Sequence, residues 1–240
     1  MKNWYEEATK KYQLSGKSEG TVKAYTRAVR LLVDHCGKTP DLISEEELQE
    51  FFLHKKEVEK WSKSSHRISI CGIRHFYENV LLRKWHILNI LSVQKERKLP
   101  TILTVTEIRQ ILNQLRTQRQ YTCLSTIYSC GLRISEVVSL KVSDIDSKRM
   151  MIHVHAGKGA KDRYVPLPEV TLIILRKFWK THRNPTLLFP GKDPEKHIST
   201  ASVQTALKKA IKTAGILKPN ISAHCLRHYV EPSIMGRQTA

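Results

Sequence analysis

Apolar residues return at three- and four-residue spacing through most of this 240-residue chain, broken by one short β-rich stretch, and that pattern commits the chain to a mainly helical fold. Val22, Tyr25, Val29, Leu32 and Val33 make one helical face, which Gly37 and Pro40 close. Ser44-x-x-Glu47 has the form of a capping box, where hydroxyl and carboxylate satisfy exposed backbone donors at a helix start. Leu48, Phe51 and Phe52 supply the buried side of that helix. A third face runs through Ile70, Ile73, Phe76, Tyr77, Val80 and Leu81, with Lys63, His66, Arg67 and Arg74 distributed around it. Residues 1–92 therefore read as an all-helical domain.

Periodicity lapses over 93–101, where Lys95, Arg97, Lys98 and Pro100 give the charge and stiffness of an exposed linker. Residues 102–240 read as a second domain. It opens on another capping box, Thr104-x-x-Glu107, ahead of Ile108, Ile111, Leu112 and Leu115. A helix is expected over Tyr121 to Cys130, ended by Gly131, with a new apolar face starting at Ile134, Val137 and Val138. Met151 to His155 and Arg163 to Leu167 are β-rich runs flanking Gly157-Lys158-Gly159, which predicts a hairpin. Leu172 to Trp179 and Val203 to Ala214 return to helix, the latter stopped by Gly215. The fold class expected is α+β: mainly α with a small antiparallel β-sheet.

Charge narrows the class of partner. The chain carries 41 Lys and Arg against 22 Asp and Glu, a formal net charge of +19. Residues 96–240 hold +14 of this and residues 1–95 only +5. Such an excess is the electrostatic footprint of a polyanion binder, because each cation set on a phosphate releases condensed counterions. The N-terminal residues contain no apolar signal core, and no apolar run reaches the ~20 residues of a spanning helix, so neither export nor a membrane is expected. Five cysteines without a Cys-x-x-Cys pair suit reduced, mostly buried thiols and a cytoplasmic location.

Three motifs follow in order: Gly131-Leu132-Arg133-Ile134-Ser135-Glu136, Gly157-Lys158-Gly159-x-Lys161-x-Arg163, and His224-Cys225-Leu226-Arg227-His228. Together they resemble the tyrosine recombinase (phage integrase) family, closest to its Xer-like members. The resemblance implies a helical core-binding domain joined to a catalytic domain, acting on duplex DNA with inverted half-sites. It also implies assembly of recombinase protomers into a tetramer on synapsed, nucleoid-associated DNA. Arg133 and Arg227 would clamp the phosphate, since a planar, permanently charged fork gives paired hydrogen bonds that lysine cannot. Lys158 would be the general acid at the leaving sugar oxygen, with Lys161 an open alternative, and His224 would orient the phosphate and handle the nucleophile's proton. No cofactor is implied, because covalent capture conserves the phosphodiester energy.

Other residues carry weaker signals. Lys161 and Arg163 are expected to track the DNA backbone, and Lys63, Arg67 and Arg74 to offer phosphate contacts from the first domain. Arg133 also has the spacing to pair with Glu136 alone. His153 and His155 read as exposed strand histidines rather than ligands, and His224, Cys225 and His228 lack a fourth ligand at zinc spacing, so no metal is expected.

The segment after His228 departs from the family. Tyr229 lies two residues past Arg227, where the family places no nucleophile, and Pro232 breaks the helix expected there. The expectation is a chain retaining four active-site positions and lacking the tyrosine nucleophile, through truncation, frameshift or fusion. Two other functions remain open at this point: a DNA-binding remnant without chemistry, and a basic RNA-binding helical protein.

Overall fold

The computed structural model describes residues 4–91, 101–155 and 162–227. The chain divides into two compact units, residues 1–98 and 99–240.

The first unit is helical: α1 (Trp4–Leu14), α2 (Glu19–Cys36), α3 (Glu45–Glu57), α4 (Lys63–Asn79) and the short α5 (Ile87–Ile90). Ser44 and Glu47 form the expected capping box, with the Ser44 amide donating to Glu47 Oε2 at 2.9 Å and the Glu47 amide to Ser44 Oγ at 3.3 Å. The three apolar faces read from the sequence meet in one core, where Leu32, Leu48, Phe51, Ile73, Phe76 and Tyr77 are fully buried. Helix α1 was not anticipated: its inward row is Trp4, Ala8 and Tyr12, of which only Ala8 and Tyr12 are fully buried, a short stripe to register as periodicity.

Helices α2 and α4 pack against each other most extensively, and Gly72 is what lets them approach. A Cβ there would lie 2.9 Å from the Tyr25 Cα and 3.3 Å from the Ala28 Cβ. The Tyr12 hydroxyl donates to the Gly72 carbonyl at 3.3 Å, and the Tyr77 hydroxyl to the Pro40 carbonyl at 2.8 Å. Each buried ring thus satisfies its polar end.

The second unit runs α6 (Val105–Asn113), α7 (Gln118–Cys130), α8 (Ile134–Val138), β1 (Ile145–Asp146), β2 (Met151–Val154), β3 (Arg163–Pro166), α9 (Glu169–His182), α10 (Thr200–Thr213) and α11 (Ala223–Arg227). The hairpin is present and gains a third strand, giving an antiparallel sheet in the order β1-β2-β3. Its register pairs Ile152 with Val165, His153 with Tyr164 and Val154 with Arg163. Strand alternation then sends Ile152, Val154 and Arg163 to the core face, and His153 and Tyr164 to the other.

Helix α7 occupies the centre of the core, packing on α6, α8, α9, α10 and α11. Gly131 ends it in the left-handed conformation at φ 62°, as the sequence predicts. The second capping box also forms: the Thr104 amide donates to Glu107 Oε2 at 2.7 Å. Lys218 Nζ reaches the same oxygen at 2.7 Å, tying the start of this unit to residues near its end. Cys123, Cys130 and Cys225 are buried and all five thiols are free. Burial pushes the Cys123 thiol up to about 12, which removes it as a nucleophile at neutral pH.

Gly72→Ala tests the helix contact. Overpacking against backbone costs about 1–3 kcal/mol, whereas alanine returns up to about 1 kcal/mol in helix propensity. The net expectation is a lower melting temperature for the first unit; an unchanged or raised one would contradict the close approach.

Candidate active site

Three sequence neighbours build the entrance to the site. Gly131 turns the chain out of α7, Leu132 is fully buried, and Arg133 becomes the residue that caps α8. Glu136, on the first turn of α8, then faces back toward it. The Arg133 amide donates to Glu136 Oε2 at 2.7 Å, and Arg133 Nη1 donates to Oε1 at 2.6 Å.

The same carboxylate takes a second arginine. Arg163 Nη1 donates to Glu136 Oε1 at 2.9 Å and Nη2 to Oε2 at 2.8 Å, a paired fork across from β3. Glu136 is 8% exposed, whereas Arg133 and Arg163 are 35% and 32% exposed. Burial alone would push the Glu136 carboxyl up. The hydrogen bonds from Arg163, the Arg133 amide and the Arg133 guanidinium outweigh it and hold the group down at about 2.

Arg227 ends α11, which lies against α7. Burial holds its guanidinium below the usual value, and the neighbouring Arg133 charge adds to this while Glu136 opposes it. Arg133, Arg163 and Arg227 therefore share one electrostatic field around a single buried carboxylate, and the cluster carries a net +2. Ala223, Cys225 and Leu226 anchor α11 in the core, while His224 is exposed. His224 and Arg227 are three residues apart, which puts them on one side of α11.

The expected site residues fare differently. Arg133 and Arg227 are brought together. Lys158 and Lys161 lie outside the described residues, as does Tyr229. Arg163 was expected to follow the DNA backbone, but strand alternation turns it inward and Glu136 occupies its fork. Arg74, expected to face a phosphate, donates from Nη2 to the Leu88 carbonyl, tying α4 to α5. Lys63 and Arg67 are exposed on α4. The pairing of Arg133 with Glu136 was one of two readings of that spacing, and the bond is present. What sequence reasoning missed is Arg163 as its third member, although the alternation Arg163-x-Val165-x-Leu167 puts that residue on an inward face.

Two family models match the chain: the phage integrase family over residues 101–235, and the phage integrase N-terminal SAM-like domain over residues 4–87. A putative integrase/recombinase of Sinorhizobium fredii is 37% identical, the match covering 90% of this chain and 70% of that protein. A tyrosine recombinase of Thermosipho africanus is 33% identical, with 88% and 77% covered. Among solved structures, the fold is shared with a lambda integrase dimer bound to a core site, at TM-score 0.77 and 14% identity, covering 95% of this chain and 86% of that one. The chain belongs to the phage integrase family, as a tyrosine recombinase of Xer-like type. Site-specific DNA recombination is the function of that class. No helix among the described residues is long and apolar enough to cross a membrane.

The Glu136 node predicts a defined acid response. Its folded pKa lies below the ordinary 4.5, so its stabilising contribution is complete above about pH 4.5 and is lost as pH falls toward 2. Glu136→Gln should remove that component from a pH series of thermal melts. Its cost at neutral pH is expected at about 1–3 kcal/mol, less than for a fully buried pair because both arginines are partly solvated. Parallel pH profiles for the two proteins would contradict the assignment.

Proposed function

We propose that this chain grips duplex DNA built of inverted half-sites and holds the scissile phosphate against Arg133 and Arg227. The observation that carries this reading is the carboxylate bridge: Glu136 fixes Arg133 from one side and Arg163 fixes Glu136, while Arg227 enters the same field. A phosphate accumulating charge in the transition state meets cations already in position, so little reorganisation is needed during reaction. Arg133 keeps part of its guanidinium toward solvent, where a phosphate oxygen can accept from it.

In this reading Lys158 gives a proton to the leaving sugar oxygen, with Lys161 its substitute or a backbone contact. His224 orients the phosphate and relays the nucleophile's proton. Residues 1–92 act as the core-binding domain, 93–101 as linker and 102–240 as the catalytic domain, with Lys63 and Arg67 on the exposed side of α4. The protomers assemble on synapsed DNA in a cytoplasmic, nucleoid-associated setting; a lambda integrase of the same fold is a tetramer bound to a Holliday junction. Strand transfer further needs a tyrosine to attack the phosphate and store the energy for religation as a phosphotyrosyl bond, without nucleotide or metal; this polypeptide supplies the clamp, the acid and the histidine to that step, and the tyrosine comes from outside it.

Four of the seven tyrosines among the described residues are engaged elsewhere. Tyr12 and Tyr77 are buried in the first core, where burial raises both phenols well above 10. Tyr128 packs against the second core and Tyr164 stacks on His153. None is assigned as nucleophile, and neither is Tyr229.

Two measurements test the reading. Arg133→Ala and Arg227→Ala should each weaken binding to a cognate duplex and lower the slope of log K against log salt by about one, the signature of a lost phosphate contact. Equal affinity for double-stranded RNA would instead favour the RNA-binding alternative. On a nicked suicide duplex, the 240-residue polypeptide alone should bind without forming an adduct on a denaturing gel. An adduct mapping to Tyr229 would overturn the nucleophile assignment.

A further inference from the structure

We propose that His153, His155 and Asp162 form a binding site for a zinc-class divalent cation on the side of the sheet that carries Tyr164. The two histidines are two residues apart, so alternation puts both on the side facing away from Ile152 and Val154. Continuing the β2–β3 register past Val154 and Arg163 sets His155 opposite Asp162. His153 Nε2 lies 3.3 Å from Asp162 Oδ2, and His155 Nδ1 lies 3.4 Å from the same oxygen. One donor atom from each of the three residues falls within 4.8 Å of the others. Two ligands of a tetrahedral zinc at 2.0–2.1 Å stand about 3.3 Å apart, so two of the three edges already have the required length.

The other nitrogen of His155 supplies the second argument. His155 Nε2 lies 3.0 Å from Oδ1 of Asp144, and Asp144 is itself buried, its other oxygen accepting the Lys141 amide at 2.8 Å. A neutral imidazole has one N–H and one lone pair. A donor role for Nε2 toward Asp144 leaves Nδ1, on the Asp162 side, as the nitrogen that can ligate a cation. A carboxylate behind a ligating histidine is also the usual outer support of a metal site, since it fixes the tautomer and raises ligand basicity.

Two imidazoles and one carboxylate suit zinc and neighbouring divalent transition ions, whereas magnesium and calcium take oxygen ligands. Three protein ligands leave a fourth position for water. His153 is held by its stack on Tyr164, with ring centroids 4.6 Å apart at 13°. The expectation of no metal at these histidines weighed them singly on their strand; Asp162 and Asp144 join them only through the fold.

The test is zinc binding by the full chain, read by competition with a chromophoric chelator and by the absorption of Co2+. The expected result is saturable binding of one equivalent, weakened about tenfold or more by His153→Ala, His155→Ala and Asp162→Asn, with His197→Ala unaffected. Far-UV circular dichroism and melting of each variant separate lost ligation from lost fold. Millimolar magnesium should not compete. Affinity indifferent to the three variants, or a thiolate-to-cobalt charge-transfer band, would move the site to the cysteines and overturn the proposal. Absence of saturable binding would also overturn it.

Discussion

A carboxylate buried between two guanidinium groups organises the second unit of this protein. Removing Glu136 from water is costly, and only the convergence of a backbone amide and two arginines makes its ionised form the favoured one. The requirement acts in both directions. Arg133 belongs to the turn after α7 and Arg163 to β3, so satisfying one charge locks the helical core and the sheet edge into a single geometry. The residue that touches no phosphate thereby sets the position of one that is proposed to.

The rest of the unit serves that convergence. Helix α7 is buried along most of its length, and its left-handed terminus at Gly131 delivers Arg133. Helix α11 packs on the same helix and delivers Arg227. Two arginines 94 positions apart in sequence thus meet through one central helix. The sheet has two working faces as a direct result of strand alternation. Arg163 goes inward to Glu136, while His153, His155 and Tyr164 stay outside with Asp162. The first unit is simpler: large aromatic and aliphatic side chains fill its core, and Gly72 allows the distance at which α2 and α4 close over them.

Much of the helical frame was legible in the residues because its causes are local. A capping box needs only four consecutive residues, and both Ser44-x-x-Glu47 and Thr104-x-x-Glu107 formed as read. Gly131 likewise acts at its own position. Helix α1 escaped notice because most of its surface faces solvent, leaving Trp4, Ala8 and Tyr12 as its inward row. The tie from Arg74 to the Leu88 carbonyl escaped notice for a related reason: a cation on a helix shows nothing of the carbonyl fourteen residues later that accepts from it.

What the sequence by itself determined was the family, the order of the three motifs, the helical periods and the excess of positive charge, all of them properties of neighbouring residues or of simple sums. Which charges cancel was decided only by the tertiary structure. Arg163 and Lys161 stand two apart in one basic motif, yet Arg163 is matched to a carboxylate 27 residues earlier. His155 is similarly matched to Asp144, eleven residues earlier. The physical reason is that ionic and hydrogen-bonded pairs depend on separation in space over a few ångströms, and separation in space across a fold is not encoded at any single position along the chain.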